Sequence, residues 1–264
     1  MTSRLSTAFE RMRTEGRGGL VTYLTAGDPD AARSAALLTA VAAAGADVLE
    51  VGVPFSDPLA DGPVIQRATE RALAGGMTLR GSLRVIRQVR REIDTPIVVF
   101  TYANPLLRMG IDVFAREAAD AGVDGVLVLD CPVEESGALR EAIVESHMDP
   151  IFLISPTTAD SRIRSSAALG RGFLYLISRL GVTGVRDQLP SDVPALAARV
   201  RACTSLPLAV GFGIARPEHV ADACRVADAA VVGSALVNVV AEHGGNGDLC
   251  ERASEYVRWL KSEL

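Results

Sequence analysis

The sequence predicts an α/β chain closed as a (β/α)8 barrel, on three observations. Eight short runs rich in Val, Ile, Leu and aromatic residues recur with little internal alternation, the pattern of parallel strands buried on both faces. Each run is followed by a segment with helical apolar spacing, so that strand and helix alternate along the chain. Finally, 264 residues suit one such barrel, and no composition shift or linker divides 1–264 into more than a single domain. An open doubly wound sheet is the rival. It would carry a glycine fingerprint after the first strand and long connections at one switch point. Here no such fingerprint appears, and the long loops follow strands two and six.

The N-terminal segment places Leu5, Ala8, Phe9 and Met12 at helical spacing among charges, giving an extra helix ahead of the barrel. The first strand is 19–25, after which Asp28 and Pro29 cap an Ala- and Leu-rich helix running to Gly45. The second strand, 47–53, is stopped by Pro54 and Pro58, and a helix can start only at Pro63. Helices 64–73 and 79–92 then lead to the third strand, 96–101. Helix 112–121, strand 125–130, helix 134–147, strand 151–155, helix 159–169 and strand 173–177 follow in tight alternation. A long glycine-bearing loop, 178–192, precedes helix 193–202, strand 206–210, helix 218–226, strand 229–232 and a short helix 235–241. No shorter repeat is visible in the residue pattern.

Composition narrows the chemistry. With 48% hydrophobic residues and a mean hydropathy of +0.24 the chain can bury a large core, yet no apolar run is long enough to span a membrane. A net charge of −5 without a basic cluster argues against a nucleic-acid groove. The N-terminus lacks the apolar core and cleavage site of a signal peptide, so cytoplasmic residence is expected. Cys131, Cys203, Cys224 and Cys250 are far apart, without the paired spacing of a zinc or redox site, and read as reduced packing thiols. Lys261 is the sole lysine and lies near the C-terminus, which leaves no amine for a Schiff base in a pocket. His147, His219 and His243 are not spaced to bind a metal together. The chemistry must therefore run on carboxylates.

Three acids stand out. Glu50 lies inside the second apolar run, where a carboxylate leaving water without a partner costs several kcal/mol on a rough scale. Asp57 and Asp61 follow in the loop that this strand feeds. A structural ion pair would also explain Glu50, and turn or cap roles would explain the aspartates; for Asp57 the turn reading is preferred, for Glu50 acid and base work. At the other end of the mouth, strand seven ends in Gly211-Phe212-Gly213-Ile214, and strand eight in Gly233-Ser234 directly before a helix. Bare amides, the Ser234 hydroxyl and the positive end of a helix dipole together suit a phosphate, and Gly184 of the sixth loop can add another amide. Loop 178–192, with Gly181, Thr183 and Gly184, has the composition of a lid as well as of any exposed loop.

The motifs YLTAGDP (23–29), LEVGVPFSDPLADGP (49–63), YANP (102–105), PVEES (132–136), SRLGVTG (178–184), GFGI (211–214) and VGSA (232–235) resemble those of the tryptophan synthase alpha subunit over nearly the whole chain. That family is a (β/α)8 TIM barrel that cleaves indole-3-glycerol phosphate reversibly to indole and D-glyceraldehyde 3-phosphate. Its indole passes to a pyridoxal-phosphate-containing beta subunit in an α2β2 complex, while the alpha chain itself holds no cofactor or metal. The resemblance implies that Glu50 and Asp61 are the catalytic acids. It likewise gives Tyr23, Ile65, Phe100, Leu127 and Tyr175 to the pocket wall and Thr183 to a lid contact with Asp61. Gly184, Phe212, Gly213, Gly233 and Ser234 would hold the phosphate, and Pro58, Asn104 and Pro132 would face the beta subunit.

This reaction suits a chain with no amine or metal in its pocket, because the indole ring is its own electron sink. Burial is expected to raise Glu50 towards the working range, while Asp61, in a wetter loop, stays charged. Thr22, Cys131 and Leu180 depart from the family pattern, which bears on pocket shape and partner fit. The alternatives are a stand-alone lyase releasing free indole, a sugar-phosphate isomerase and a non-catalytic phosphate-binding barrel. An apolar pocket wall suits a flat ring better than a carbohydrate.

Overall fold

The computed structural model describes residues 3–177, 192–211 and 213–264. Eight parallel strands close into a barrel in sequence order: β1 Gly19–Thr25, β2 Val48–Gly52, β3 Ile97–Thr101, β4 Gly125–Val128, β5 Asp149–Ile154, β6 Leu174–Ile177, β7 Leu208–Gly211 and β8 Ala229–Val232. The open-sheet rival is thereby excluded. Among the described residues the helices are α1 Arg4–Thr14, α2 Ala31–Ala43, α3 Pro63–Ala74, α4 Leu79–Val89, α5 Ala103–Met109, α6 Ile111–Ala121, α7 Gly137–Glu145, α8 Asp160–Leu169, α9 Val193–Arg201, α10 Pro217–Cys224, α11 Ser234–His243 and α12 Leu249–Leu260. None of them is long and apolar enough to cross a membrane.

Each strand is apolar on both faces because each face meets a different core. The inward set includes Val21, Val48, Val98, Leu127, Ile151, Phe173, Ala209 and Val231, while Leu20, Leu49, Val51, Ile97 and Val99 point out into the layer under the helices. The predicted N-terminal helix forms as α1 and closes the bottom of the barrel with Leu5, Phe9 and Met12, the Phe9 ring lying 5.5 Å from that of Phe173. With the bottom filled, the mouth at the strands' C-terminal ends is the face left for a site.

Several local expectations change. Asp30, not Asp28, caps α2, accepting the Arg33 N–H at 2.9 Å. Asp28 is instead buried against Arg71 of α3, with two contacts of 2.8 Å. Two helices have no counterpart in the sequence reading. α5 carries Pro105 in its first turn, where a missing N–H is tolerated, and its Ala103 N–H is accepted by Asp130 Oδ1 at 2.7 Å. α12 covers α2 and α11 through Leu249, Ala253, Val257 and Leu260.

The structure also contains a two-strand repeat. Asp47, Asp124 and Asp228 each directly precede an even-numbered strand and accept a backbone N–H near the start of the odd strand before it. The donors are Leu20 at 3.0 Å, Ile97 at 2.8 Å and Leu208 at 2.6 Å. Each acid also binds an arginine, respectively Arg17, Arg90 and Arg201. Before β6 no aspartate plays this part: Pro150 has no N–H to satisfy, and its carbonyl accepts the Arg171 N–H at 2.9 Å.

Candidate active site

Glu50 is the middle residue of β2, in register with Tyr23 on one side and Val98 on the other. Strand alternation turns it inward with Val48 and Gly52, and it is 0% exposed. Neither carboxyl oxygen has a hydrogen-bond partner among the described residues, so the ion-pair explanation fails there. Burial alone pushes its pKa to about 8, which keeps it mostly protonated at neutral pH.

The walls are aromatic and aliphatic. Tyr23 packs edge-on against Phe100, with ring centroids 5.1 Å apart at 74°, and its hydroxyl lies 3.3 Å from Thr25 Oγ1. Ile65 at the start of α3 joins Tyr23, Ala68 and Val237 in one buried cluster. Leu127 is fully buried in the inner core beneath, in register with Phe100, and Tyr175 stands across the barrel on β6. Both tyrosines depend on glycines: Gly52, which the sequence reading did not single out, and Gly211, which it read only as part of the phosphate-binding end of strand seven. A Cβ on Gly52 would sit 2.1 Å from the Tyr23 hydroxyl, and one on Gly211 would sit 2.9 Å from that of Tyr175. The available signal was a glycine closing an apolar strand, in VLEVG and LAVG. Burial raises both phenols well above their ordinary value, helped by the charge of Asp61 at Tyr23 and of Glu50 at Tyr175. They remain neutral throughout the working range.

Asp61 ends the β2–α3 loop just before the Gly62-Pro63 helix start. It is less wet than expected: burial raises its pKa to about 6, with the Tyr102 hydroxyl pulling the other way. At neutral pH it is mostly charged, whereas Glu50 is not. Tyr102 is the second residue missed, although the YANP motif contains it. Its hydroxyl accepts the Ala60 N–H at 3.1 Å, and its ring lies 5.2 Å from that of Phe55. Gln66 of α3 donates to the Asp61 carbonyl at 2.8 Å, so both sides of Asp61 are fixed. Asp57 is exposed and takes part in the turn, consistent with its structural reading.

Across the mouth, Gly213 has φ of +90°, a conformation in which glycine is favoured, and Ser234 is the buried first residue of α11. A Cβ on Gly233 would lie 3.6 Å from Tyr23 Cβ and 3.9 Å from Ile65 Cδ1, so this glycine borders the apolar wall. The free amides at the start of α11 supply the positive end of a helix dipole to the same region. Thr183, Gly184 and Phe212, expected at the lid and phosphate, lie outside the described residues. On the rim, Asn104 and Pro132 are exposed and Pro58 is half-buried. Leu59 and Leu107, 92% and 63% exposed, stand on the same loop and helix as Pro58 and Asn104.

Comparison with known proteins bears directly on this arrangement. The sequence model of the tryptophan synthase alpha chain family matches residues 9–263. The chain belongs to the tryptophan synthase alpha chain family. It is 47% identical over 262 residues to the tryptophan synthase alpha chain of Caulobacter sp. (strain K31), covering 99% of this chain and 94% of that one. The corresponding chain of Solibacter usitatus (strain Ellin6076) is 45% identical over 259 residues, covering 98% and 97%. Among solved structures, tryptophan synthase subunit alpha from Legionella pneumophila str. Paris superposes with a TM-score of 0.92 at 35% identity, covering 100% of this chain and 98% of that one. A chain of Mycobacterium tuberculosis tryptophan synthase does so with 0.92 at 38%, with the same coverage. Family membership therefore spans the entire barrel, including both ends of the mouth.

Proposed function

We propose that this chain cleaves indole-3-glycerol phosphate to indole and D-glyceraldehyde 3-phosphate, with Glu50 and Asp61 as its catalytic acids. The observation that carries the assignment is Glu50: a fully buried carboxyl inside the barrel, with no hydrogen-bond partner among the described residues, in a tryptophan synthase alpha chain. The indole ring lies between Tyr23, Phe100, Ile65 and Tyr175 above Leu127, and the phosphate meets the backbone around Gly213, Gly233 and Ser234. Thr183, Gly184 and Phe212 complete the lid and phosphate contacts in this reading.

The two raised carboxyls suit opposite tasks. Charged Asp61 accepts the ring N1–H and stabilises positive charge on the ring, while protonated Glu50 delivers its proton to ring C3. The Glu50 carboxylate then takes the proton of the C3′ hydroxyl, on the side-chain carbon attached to the ring. The carbon–carbon bond breaks, its electron pair returns to the ring to leave neutral indole, and the side chain departs as the aldehyde. Glu50 ends protonated again, ready for the next turnover.

The partner in this reading is a tryptophan synthase beta subunit in an α2β2 assembly, which takes the indole and carries pyridoxal phosphate. Leu59 and Leu107 beside Pro58, Asn104 and Pro132 support that docking face, because large apolar side chains this exposed on one rim mark a contact surface. A cytoplasmic location accords with this biosynthetic role.

The test is indole release from indole-3-glycerol phosphate by the purified chain, alone and with its cognate beta subunit, beside Glu50→Gln and Asp61→Asn. The expected result is slow release alone, a large rise with the partner and loss of activity by at least about a hundred-fold in both variants. Fast release indifferent to the partner would make the chain a stand-alone lyase. Retention of activity in either variant would overturn that residue's role.

A further inference from the structure

The β7–α10 connection is braced beyond what its length requires. Gly213 takes a positive φ, Ile214 is buried in the main core, and Ala215 is held at both of its backbone groups. The Ala215 N–H points to His219 Nδ1 at 3.4 Å, and its carbonyl accepts the Tyr256 hydroxyl at 2.7 Å. Tyr256 belongs to α12, which covers the outside of the barrel, and its ring lies 5.6 Å from Trp259. Burial pushes the phenol up to about 12, so it is a neutral donor at working pH. The packing of α12 does not require this hydroxyl, since Leu249, Ala253, Val257 and Leu260 form its buried stripe.

A glycine loop that must meet an anion with its amides loses backbone freedom when it binds, and this cost weakens affinity unless the loop is already ordered. Tyr256 orders it from outside, by fixing the carbonyl two residues after Gly213. We infer that Tyr256 is a positioning residue for phosphate recognition, through which the C-terminal helix holds the Gly213–Ala215 backbone in its binding conformation. The inference rests on the proposed phosphate site at Gly213, Gly233 and Ser234, and makes α12 part of the substrate-binding apparatus without touching substrate.

Tyr256→Phe keeps the ring and removes only the hydroxyl. Its binding of sn-glycerol 3-phosphate and of indole is measured by calorimetry against the wild-type chain, with KM for indole-3-glycerol phosphate measured in the cleavage assay. Loss of one hydrogen bond predicts a Kd for sn-glycerol 3-phosphate raised about two- to ten-fold. KM should rise in parallel and the Kd for indole stay unchanged. Equal weakening of both ligands would make Tyr256 merely structural, and no change in either would make the contact idle; both results overturn the inference. Ser234→Ala separates this from the site assignment. If Ser234→Ala weakens sn-glycerol 3-phosphate and Tyr256→Phe does not, only the positioning role fails. If neither the wild type nor Ser234→Ala distinguishes the probe from buffer, the phosphate site fails and the inference with it.

Discussion

Glu50 shows how position rather than residue type creates chemistry. Val48, Glu50 and Gly52 alternate inward on β2, and the surrounding barrel offers the carboxyl no ion and no donor among the described residues. Its proton is therefore retained in the folded chain up to about 8, compared with an ordinary value of 4.5. Below 4.5 the folded and unfolded chains both hold the proton, and the site carries no penalty. Between these values the unfolded chain ionises first, so stability falls as pH rises, and the loss is complete above about 8. Glu50→Gln does not ionise and should become progressively more stable than the wild type across this window, by an amount on the order of a few kcal/mol. Urea unfolding at pH 5, 7 and 9, on that basis, gives a widening gap. A gap that stays constant across the series would mean that Glu50 is not raised.

At the scale of elements, the aspartates at the bottom of the barrel bind neighbouring strands by a device independent of the mouth. Asp47 accepts the Leu20 N–H and contacts Arg17 and Lys261 at 2.8 and 2.9 Å. Burial opposes its charge, but these partners outweigh that cost and hold its pKa below the ordinary carboxylate value. Asp47→Ala removes the acceptor shared by Arg11, Arg17, Lys261 and the Leu20 amide, and should lower stability by about 3 kcal/mol. The difference should shrink as pH falls through the lowered pKa of Asp47, because the charge that holds the clamp disappears. Denaturant unfolding at pH 7 and at successively lower pH measures it; a gap that does not shrink as pH falls would assign the effect to packing. The sole lysine, excluded from a Schiff base by sequence position, is thus occupied at the opposite end from the site.

For the whole molecule, barrel closure converts separate loops into one mouth. Tyr102 joins the start of α5 to the β2–α3 loop through Ala60, and Asp130 joins the same helix to the segment before Pro132. Leu59 and Leu107 therefore stand on mutually anchored segments of the proposed docking face. Leu107→Glu places a charge on this face and is expected to weaken association with the beta subunit at least about ten-fold, since a charge buried unpaired at an interface is costly. Sedimentation of the mixed subunits measures it. Unaltered association would remove α5 from the docking face.

The strand and helix alternation, Glu50 as an anomalous core acid and the glycines at strands seven and eight were legible in the residues, because burial on both faces and close backbone approach restrict which side chains can occur. The motif resemblance then pointed to the family and to Asp61. The two unforeseen helices were hidden for different reasons: α5 opens on an Asn-Pro pair that reads as a turn, and α12 takes its meaning from the helices it covers. Likewise the sequence can display Tyr23 and Gly52, or Tyr175 and Gly211, but not that each phenol occupies the space its glycine leaves. Nor can it display that Asp61 lies beside Tyr102, that Asp28 faces Arg71, or that Tyr256 reaches Ala215 from 41 residues away. Local composition determines which backbone segments form and which face they bury. Which polar groups then share a space with little water, and hence their pKa values and partners, is decided only when the barrel closes and distant segments meet.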